Sequence, residues 1–409
     1  RFLLANFSCT AITTQRKDFM IPVLETFEYI QKNTHKISGV ETINITDARG
    51  RITAADILST TDVPVFDNSA MDGYAVRKSD LIGSPPYRLP LVGTVAAGQS
   101  GDILCQSGTI RILTGAPVPS GYDTVIMQEK TSKDGEHILF YQNPPLGNNI
   151  RCRAEDISKG DVVIKAGTLL DTRHIAAALS AGAAKCSVKR KLKVMLFSTG
   201  DELTEPGKEL APGAIYDSNR PMLMALLDHP SIELIDGKRL GDEFDIVQSN
   251  LKVASERADM IISTGGVSVG DRDHLPRAVE SLGGTIDIWK VAMKPGKPVK
   301  VGTIGETIFL GLPGNPLSAL VAWLLFGRSL IAKAFDINIT VPKGLLVAVD
   351  FDPPIPTTRD EFIPVIVTKS GLQKAGASGS HRLMPVMDAD GLAWFKIGET
   401  LIRGENVAY

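Results

Sequence analysis

The sequence predicts a multidomain α/β plus β fold built round a central doubly wound parallel sheet. Three observations point there. Strand-like and helix-like patterns alternate from Leu192 to about Phe335, short β-rich pieces cut by Gly and Pro flank that stretch, and 409 residues exceed one ordinary domain.

Residues 1–19 have no clear periodicity, so the folded part is expected to begin near Met20. Val23, Leu24, Phe27 and Ile30 fall at helical spacing, Thr42 to Ile45 reads as a strand, and Ala48-Arg49-Gly50-Arg51 marks a short helix or turn. Pieces such as Leu91–Val95 and Thr124–Met127 predict a small β domain over 60–149. Residues 150–188 add a strand-like stretch and an Ala-rich helix around Ile175 to Ala181, closed by Gly182. Packed back on 20–59, they would form a discontinuous N-terminal domain.

The α/β domain is expected over 189–335. Its strands are read at Leu192–Phe197, Ile232–Ile235, Met260–Ser263, Ile286–Val291 and Thr307–Leu312. One helix follows Asp217 or Ser218 as cap; another follows Asp242, with Phe244, Val247, Leu251 and Ala254 on one face. An apolar helix runs from Pro316 to Ile331. Strand-like Leu345–Val349, Glu361–Val367 and Leu392–Ile397 predict a C-terminal β domain over 336–409.

Lys and Arg total 44 against 46 Asp and Glu, a net charge of −2, so no global field draws in nucleic acid or an anionic membrane. Anion selectivity must come from local geometry. Cys9, Cys105, Cys152 and Cys186 are widely spaced and form no Cys-x-x-Cys pair, which argues against a disulfide framework or structural zinc and suits a reducing cytoplasm. No apolar run is expected to reach the roughly 18 residues of a membrane span, and the chain lacks the order of a signal peptide. No membrane partner is expected.

In an open α/β sheet, ligands bind beyond the carboxyl ends of the strands, where N–H groups and helix N-termini converge. Five polar loops occupy that position: Ser198 to Glu202, Gly241-Asp242, Ser263 to Gly270, Lys290 with Met293 to Pro298, and Leu312 to Pro316. Singly, each has a plain structural reading as a tight turn, a helix cap or a solvated charge. Together, Lys290, Lys294 and Lys297 can neutralise phosphate or oxyanion oxygens, while Glu202, Asp242 and Asp273 offer oxygens to a divalent metal. That combination suits a phosphorylated anionic ligand. A second concentration, Phe66 to Val76, places Asp67 and Asp72 between hydrophobic anchors, and Arg111 to Pro119 offers the Thr114 hydroxyl at a constrained turn. Arg151 to Asp156 adds mixed charge, equally readable as a surface cluster.

These residues resemble a known family, the molybdopterin molybdenumtransferases: bacterial MoeA and the E domains of gephyrin and plant Cnx. The resemblance rests on seven segments in order: Phe66 to Val76, Thr114 to Pro119, Glu155-Asp156-Ile157, Phe197 to Leu203, Gly265 to Gly270, Lys294 to Pro298 and Gly311 to Pro316. It covers nearly the whole chain from about Met20. It implies a homodimer of four-domain subunits whose 189–335 segment binds molybdopterin. The implied reaction inserts molybdenum from molybdate into adenylylated molybdopterin, with Mg²⁺-dependent release of AMP.

By position, Glu202, Asp242, Asp273, Lys290, Lys294, Pro313 and Pro316 match family residues of the α/β-domain active site, with Glu202 and Asp273 as implied metal ligands. Asp72, Thr114 and Asp156 match functional positions elsewhere, implied to face the α/β domain of a second subunit. Gly265, Gly266, Ser268 and Lys297 are further candidates for substrate contact, and Ser380 matches a position implied to touch molybdate. Pro364 stands where the family often has Arg, so either Arg359 or Arg382 substitutes or the molybdate site differs from the one the resemblance implies; Ala154 and His274 are smaller departures.

Three other readings are weighed against this one. A molybdopterin adenylyltransferase would share the Gly265 to Gly270 loop but needs only the middle domain. A non-catalytic cofactor-binding scaffold would not need acids and lysines at the matching positions. A tungsten-inserting homologue cannot be separated from sequence, because the two oxyanions are alike in size and charge.

Overall fold

Within the strand Leu192–Thr199 the consecutive residues Val194 to Phe197 are apolar and buried, so the sheet needs cover on both faces. Met195, Phe197, Ile261 and Phe309 pack with Val247, Leu251, Leu275 and Val279 from the helices Phe244–Arg257 and His274–Ser281. The alternate residues Val194, Leu196, Ile262 and Leu310 are equally buried and face the other way. The helices Asn219–Leu227 and Pro316–Ala334 pack together and onto this sheet.

The computed structural model describes residues 19–100, 107–266, 274–337, 344–377 and 379–409. The chain divides into two compact units, residues 1–40 with 189–409, and residues 41–188. In the first, the six strands lie in the order Ile232–Leu240, Leu192–Thr199, Met260–Thr264, Thr307–Leu312, Lys300–Ile304, Thr285–Ile288. The first four run parallel. Lys300–Ile304 is antiparallel to both its neighbours, which turns Thr285–Ile288 parallel with the rest. Five parallel strands therefore end on one edge, as expected, but the expected sheet lacked the reversed strand. The stretch before it, Lys294 to Pro298, reads as loop because of its prolines and charges, and that hid the short strand behind it.

One helix start matches expectation and one differs. Asp242 does not cap the next helix; Glu243 holds that position and neither side chain caps it. Ser218 occupies the cap of Asn219–Leu227 without a side-chain bond, while Asp217 accepts the N–H of Arg220.

The expectation that no apolar run reaches membrane-span length is corrected. Pro316–Ala334 is a 19-residue helix long and apolar enough to cross a membrane, and 67% of the tested stretch is buried in the fold. Its apolarity serves the core: Phe27 of helix Val23–Asn33 packs on Phe326 with ring centroids 5.4 Å apart. A π turn at Trp323–Gly327 interrupts it, and Gly327 is required there because a Cβ would lie 2.1 Å from the Trp323 ring.

The strand Met293–Lys294 leaves the α/β region to become the edge of a second sheet, pairing in parallel with Asp360–Thr368. Gly391–Phe395, Asn406–Ala408 and Leu346–Ala348 continue this sheet over a core of Val349, Val365, Leu372 and Ala393.

Residues 41–188 hold their own cores. Ile45, Ile57, Leu170, Ala178 and Val188 gather round the helix Thr172–Ser180, which starts at a capping box made by Asp171 and His174. A separate six-stranded sheet spans Gly73 to Phe140 in sequence, with Ala75, Ile110, Ile112 and Val125 buried on it.

Candidate active site at the carboxyl edge of the central sheet

The loop Gly200 to Leu203 is held by its backbone: Arg239 Nη1 donates to the carbonyls of Asp201 and Leu203 at 3.2 and 3.1 Å. Asp201 and Asp242 complete the brace, each backbone N–H donating to the other's carboxylate at 3.3 Å. Glu202 is thus presented to solvent from a fastened loop.

Beneath it lies a buried polar network. Ser198 Oγ donates to Asp217 at 2.6 Å, and Arg220 reaches Asp217 at 3.4 Å and Asp236 at 2.8 Å. Burial works against the Arg220 charge, but the hydrogen bonds and attraction of Asp236 and Asp217 raise its pKa above the ordinary value. The pairing fixes the entry of the helix Asn219–Leu227. Asn219 Nδ2 then donates to Thr264 Oγ1 at 2.8 Å and to the Gly314 carbonyl at 2.7 Å, tying two rim loops together.

Gly265 and Gly266 have φ of +84° and +60°, and a Cβ on Gly265 would stand 2.3 Å from the Thr199 carbonyl. Only glycine fits this crossing. Thr199, Glu202, Asp217, Asn219, Asp242, Gly265, Gly266, Pro313 and Pro316 share the lining of one cavity of about 720 Å³. Two of its buried atoms, Thr199 Oγ1 and Asn219 Oδ1, have no hydrogen-bond partner among the described residues. Such atoms are costly to bury unpaired, so they mark places for polar groups of a ligand.

A second cavity of about 320 Å³ shares Pro298, Asn315 and Ser318 with the first and carries Lys294, Lys297, Arg359, Glu361 and Ser380. Asn315 Nδ2 donates to Ser380 Oγ at 3.0 Å where the two meet. The structure therefore separates two sets that the sequence left together: acids and glycines in the larger space, lysines and Ser380 in the smaller. Lys290 lines neither; its carbonyl accepts the N–H of Ile21 at 2.9 Å. Of the two substitutes for the missing family Arg, Arg359 lines the smaller cavity and Arg382 does not. Ser268 and Asp273 lie outside the described residues.

In the unit 41–188, Asp72 accepts both the N–H and the hydroxyl of Thr114, at 2.7 and 2.8 Å. These bonds hold the Asp72 carboxyl below its usual range. The Arg153 N–H donates to Asp67 at 2.7 Å and the Gly115 N–H to the Ser69 carbonyl at 2.8 Å, so the three motifs adjoin. Asp156 is anchored there through its N–H to the Val63 carbonyl, at 3.1 Å.

Among the described residues no three His, Cys, Asp or Glu side chains converge to hold a metal. Cys152 and Cys186 are free thiols, the first exposed and the second buried.

Asn219, Arg239 and Glu361 were not foreseen as parts of the site, and Thr199 fell within an expected rim loop without being singled out. Asn219 carries a usable signal, a polar residue opening an apolar helix after a strand and loop. Arg239, near the end of a strand, carries none.

Comparison with known proteins agrees with this architecture. Residues 21–182 match a family described as the MoeA N-terminal region (domain I and II), and 195–333 match a probable molybdopterin binding domain. The molybdopterin molybdenumtransferase of Haemophilus influenzae is 44% identical over 296 residues, covering 72% of each chain. That of Staphylococcus epidermidis is 32% identical over 393 residues, 92% of this chain and 94% of its own. The crystal structure of the molybdopterin biosynthesis MoeA protein from Pyrococcus horikoshii superposes with a TM-score of 0.83 at 27% identity, covering 96% of this chain and 100% of that one. The chain belongs to the molybdopterin molybdenumtransferase family.

Proposed function

We propose that the chain inserts molybdenum from molybdate into adenylylated molybdopterin and releases AMP. The observation that carries this reading is the pair of adjoining cavities on the strand-end rim, one with buried oxygens that have no partner among the described residues, the other with three cations. A phosphorylated pterin needs the first kind of surface and a small oxyanion the second. The larger cavity takes the pterin nucleotide, with Thr199 and Asn219 accepting hydrogen bonds from it; Lys294, Lys297, Arg359 and Ser380 hold molybdate beside it.

Mg²⁺ fits the donor chemistry, because Glu202 and Asp242 bring hard carboxylate oxygens to the cavity. Glu202 would hold it, with Asp273 and the substrate's phosphates completing the set, since Mg²⁺ usually relies on few carboxylates and on phosphate oxygens. When bound it supplies charge neutralisation at the phosphoanhydride. We assign Asp242 to the same catalytic edge, where it keeps the Glu202 loop in place, while Lys290, which lines neither cavity, has no direct contact with substrate in this reading.

The working form in this reading is a cytoplasmic homodimer, in which Asp72, Thr114 and Asp156 of one copy complete the cleft of the other. The proposed domains are 20–59 with 150–188, then 60–149, 189–335 and 336–409. Helix Val23–Asn33, at the start of the first, packs through Phe27 on Phe326 of the 189–335 segment.

Purified protein given adenylylated molybdopterin, molybdate and Mg²⁺ is expected to release AMP and yield active cofactor. No AMP release where a relative works would refute the reading, and ATP-dependent pyrophosphate production from free molybdopterin would favour the adenylyltransferase.

A further inference from the structure

The smaller cavity contains an acid where an anion pocket has no need of one. Its charged lining residues are Lys294, Lys297, Arg359 and Glu361, a net charge of +2. Glu361 is fixed twice. Its backbone is in parallel register with Lys294, and Lys294 Nζ lies 2.9 Å from its carboxylate. The Glu361 side chain is only 10% exposed and that of Lys294 is 48% exposed, so the acid is the anchored member and the lysine the one free to turn.

We propose that Glu361 is a positioning residue of the oxyanion subsite: it holds Lys294 as a standing counterion, which an arriving dianion must take from it. This rests on the reading that the smaller cavity receives molybdate. With Glu361 ionised, the net charge of the lining equals that of the dianion with opposite sign. Without it, the lining carries +3 and grips any oxyanion more tightly. Glu361 therefore keeps binding weak enough for the oxyanion to leave the subsite. At an intermediate dielectric, one unit of charge in the lining of so small a cavity changes affinity for a dianion by roughly tenfold or more.

The test is calorimetric titration of the whole protein with molybdate. Glu361→Gln keeps the shape and is expected to bind about tenfold more tightly, with a lower KM for molybdate. Lys294→Gln is expected to bind about tenfold more weakly, and the double variant to recover most of that loss because its lining returns to +2. Glu361→Gln binding no tighter than wild type, or a double variant no better than Lys294→Gln, overturns the counterion role. A purely structural Glu361 would lower the melting temperature and restore nothing in the double variant. Should Glu361→Gln fail to fold, a crystal of the wild type soaked in molybdate decides. Lys294 Nζ on the oxyanion and away from Glu361 supports the proposal; Lys294 still on Glu361 with the anion bound contradicts it. Wild-type protein that binds no molybdate at all removes the assignment of this cavity, a result distinct from either.

Discussion

Asn219 Nδ2 donates to Thr264 Oγ1 at 2.8 Å, joining the first residue of a helix to the last residue of a neighbouring strand. A second bond from the same amide to the Gly314 carbonyl draws in a third element, so one buried side chain sets the spacing of the rim. Asn219→Ala is expected to lower stability by about 2 kcal/mol, the cost of removing a buried donor that satisfies two acceptors. Denaturant unfolding checks it; a loss under about 0.5 kcal/mol would mean the rim spaces itself without the amide.

The glycine pair gives a sharper contrast. Gly265→Ala would set a methyl 2.3 Å from the Thr199 carbonyl at φ +84°, whereas Gly283→Ala, at φ +75°, meets nothing within 4 Å. The second change is expected to cost about 1 kcal/mol for conformation alone and the first several times that, with loss of pterin binding. Equal destabilisation of the two would show that the Thr199 crossing is not tight.

Much of this was legible beforehand, for physical reasons. Apolar runs such as Leu192–Phe197 and Met260–Ser263 announce buried parallel strands because no polar face interrupts them. The strand-end loops followed from that, since parallel strands end on one edge. What sequence could not supply was partition in space: nothing in the spacing of Lys294 and Glu202 says that they line different cavities. Glu361 was hidden for a related reason, because its partner is 67 positions away and the two meet only through sheet pairing. The reversed strand Lys300–Ile304 was masked by the prolines before it.

At the second concentration of motifs, the Thr114 hydroxyl helps keep Asp72 ionised. Thr114→Val removes that bond and leaves the backbone one. The Asp72 carboxyl is then expected to titrate higher, closer to the ordinary value, and cofactor synthesis to fall about tenfold, whereas Thr114→Ser keeps both. Carbon-detected NMR of Asp72 reads the shift; an unchanged titration would place its control in the backbone bond alone.

Stability should respond to acid through Asp259. Burial raises its carboxyl pKa, but hydrogen bonds from Arg190 and the Lys193 N–H outweigh this and leave it below the usual carboxylate range. A depressed folded value means the stabilisation is fully present above the unfolded value and fades as pH falls through the folded one. Arg190 clasps Asp259 with two bonds, at 2.7 and 2.8 Å. Arg190→Gln is expected to cost about 2 kcal/mol at neutral pH, a difference that shrinks as Asp259 protonates. Melting curves from pH 7 down to strong acid test this, and a penalty independent of pH would assign the effect to packing.

The most direct measurement is a crystal structure of the protein with adenylylated molybdopterin bound. The expected result places the pterin nucleotide in the 720 Å³ cavity, with polar atoms in hydrogen-bond reach of Thr199 Oγ1 and Asn219 Oδ1. A nucleotide bound away from that strand-end rim, with those two oxygens still unpaired, would contradict the account.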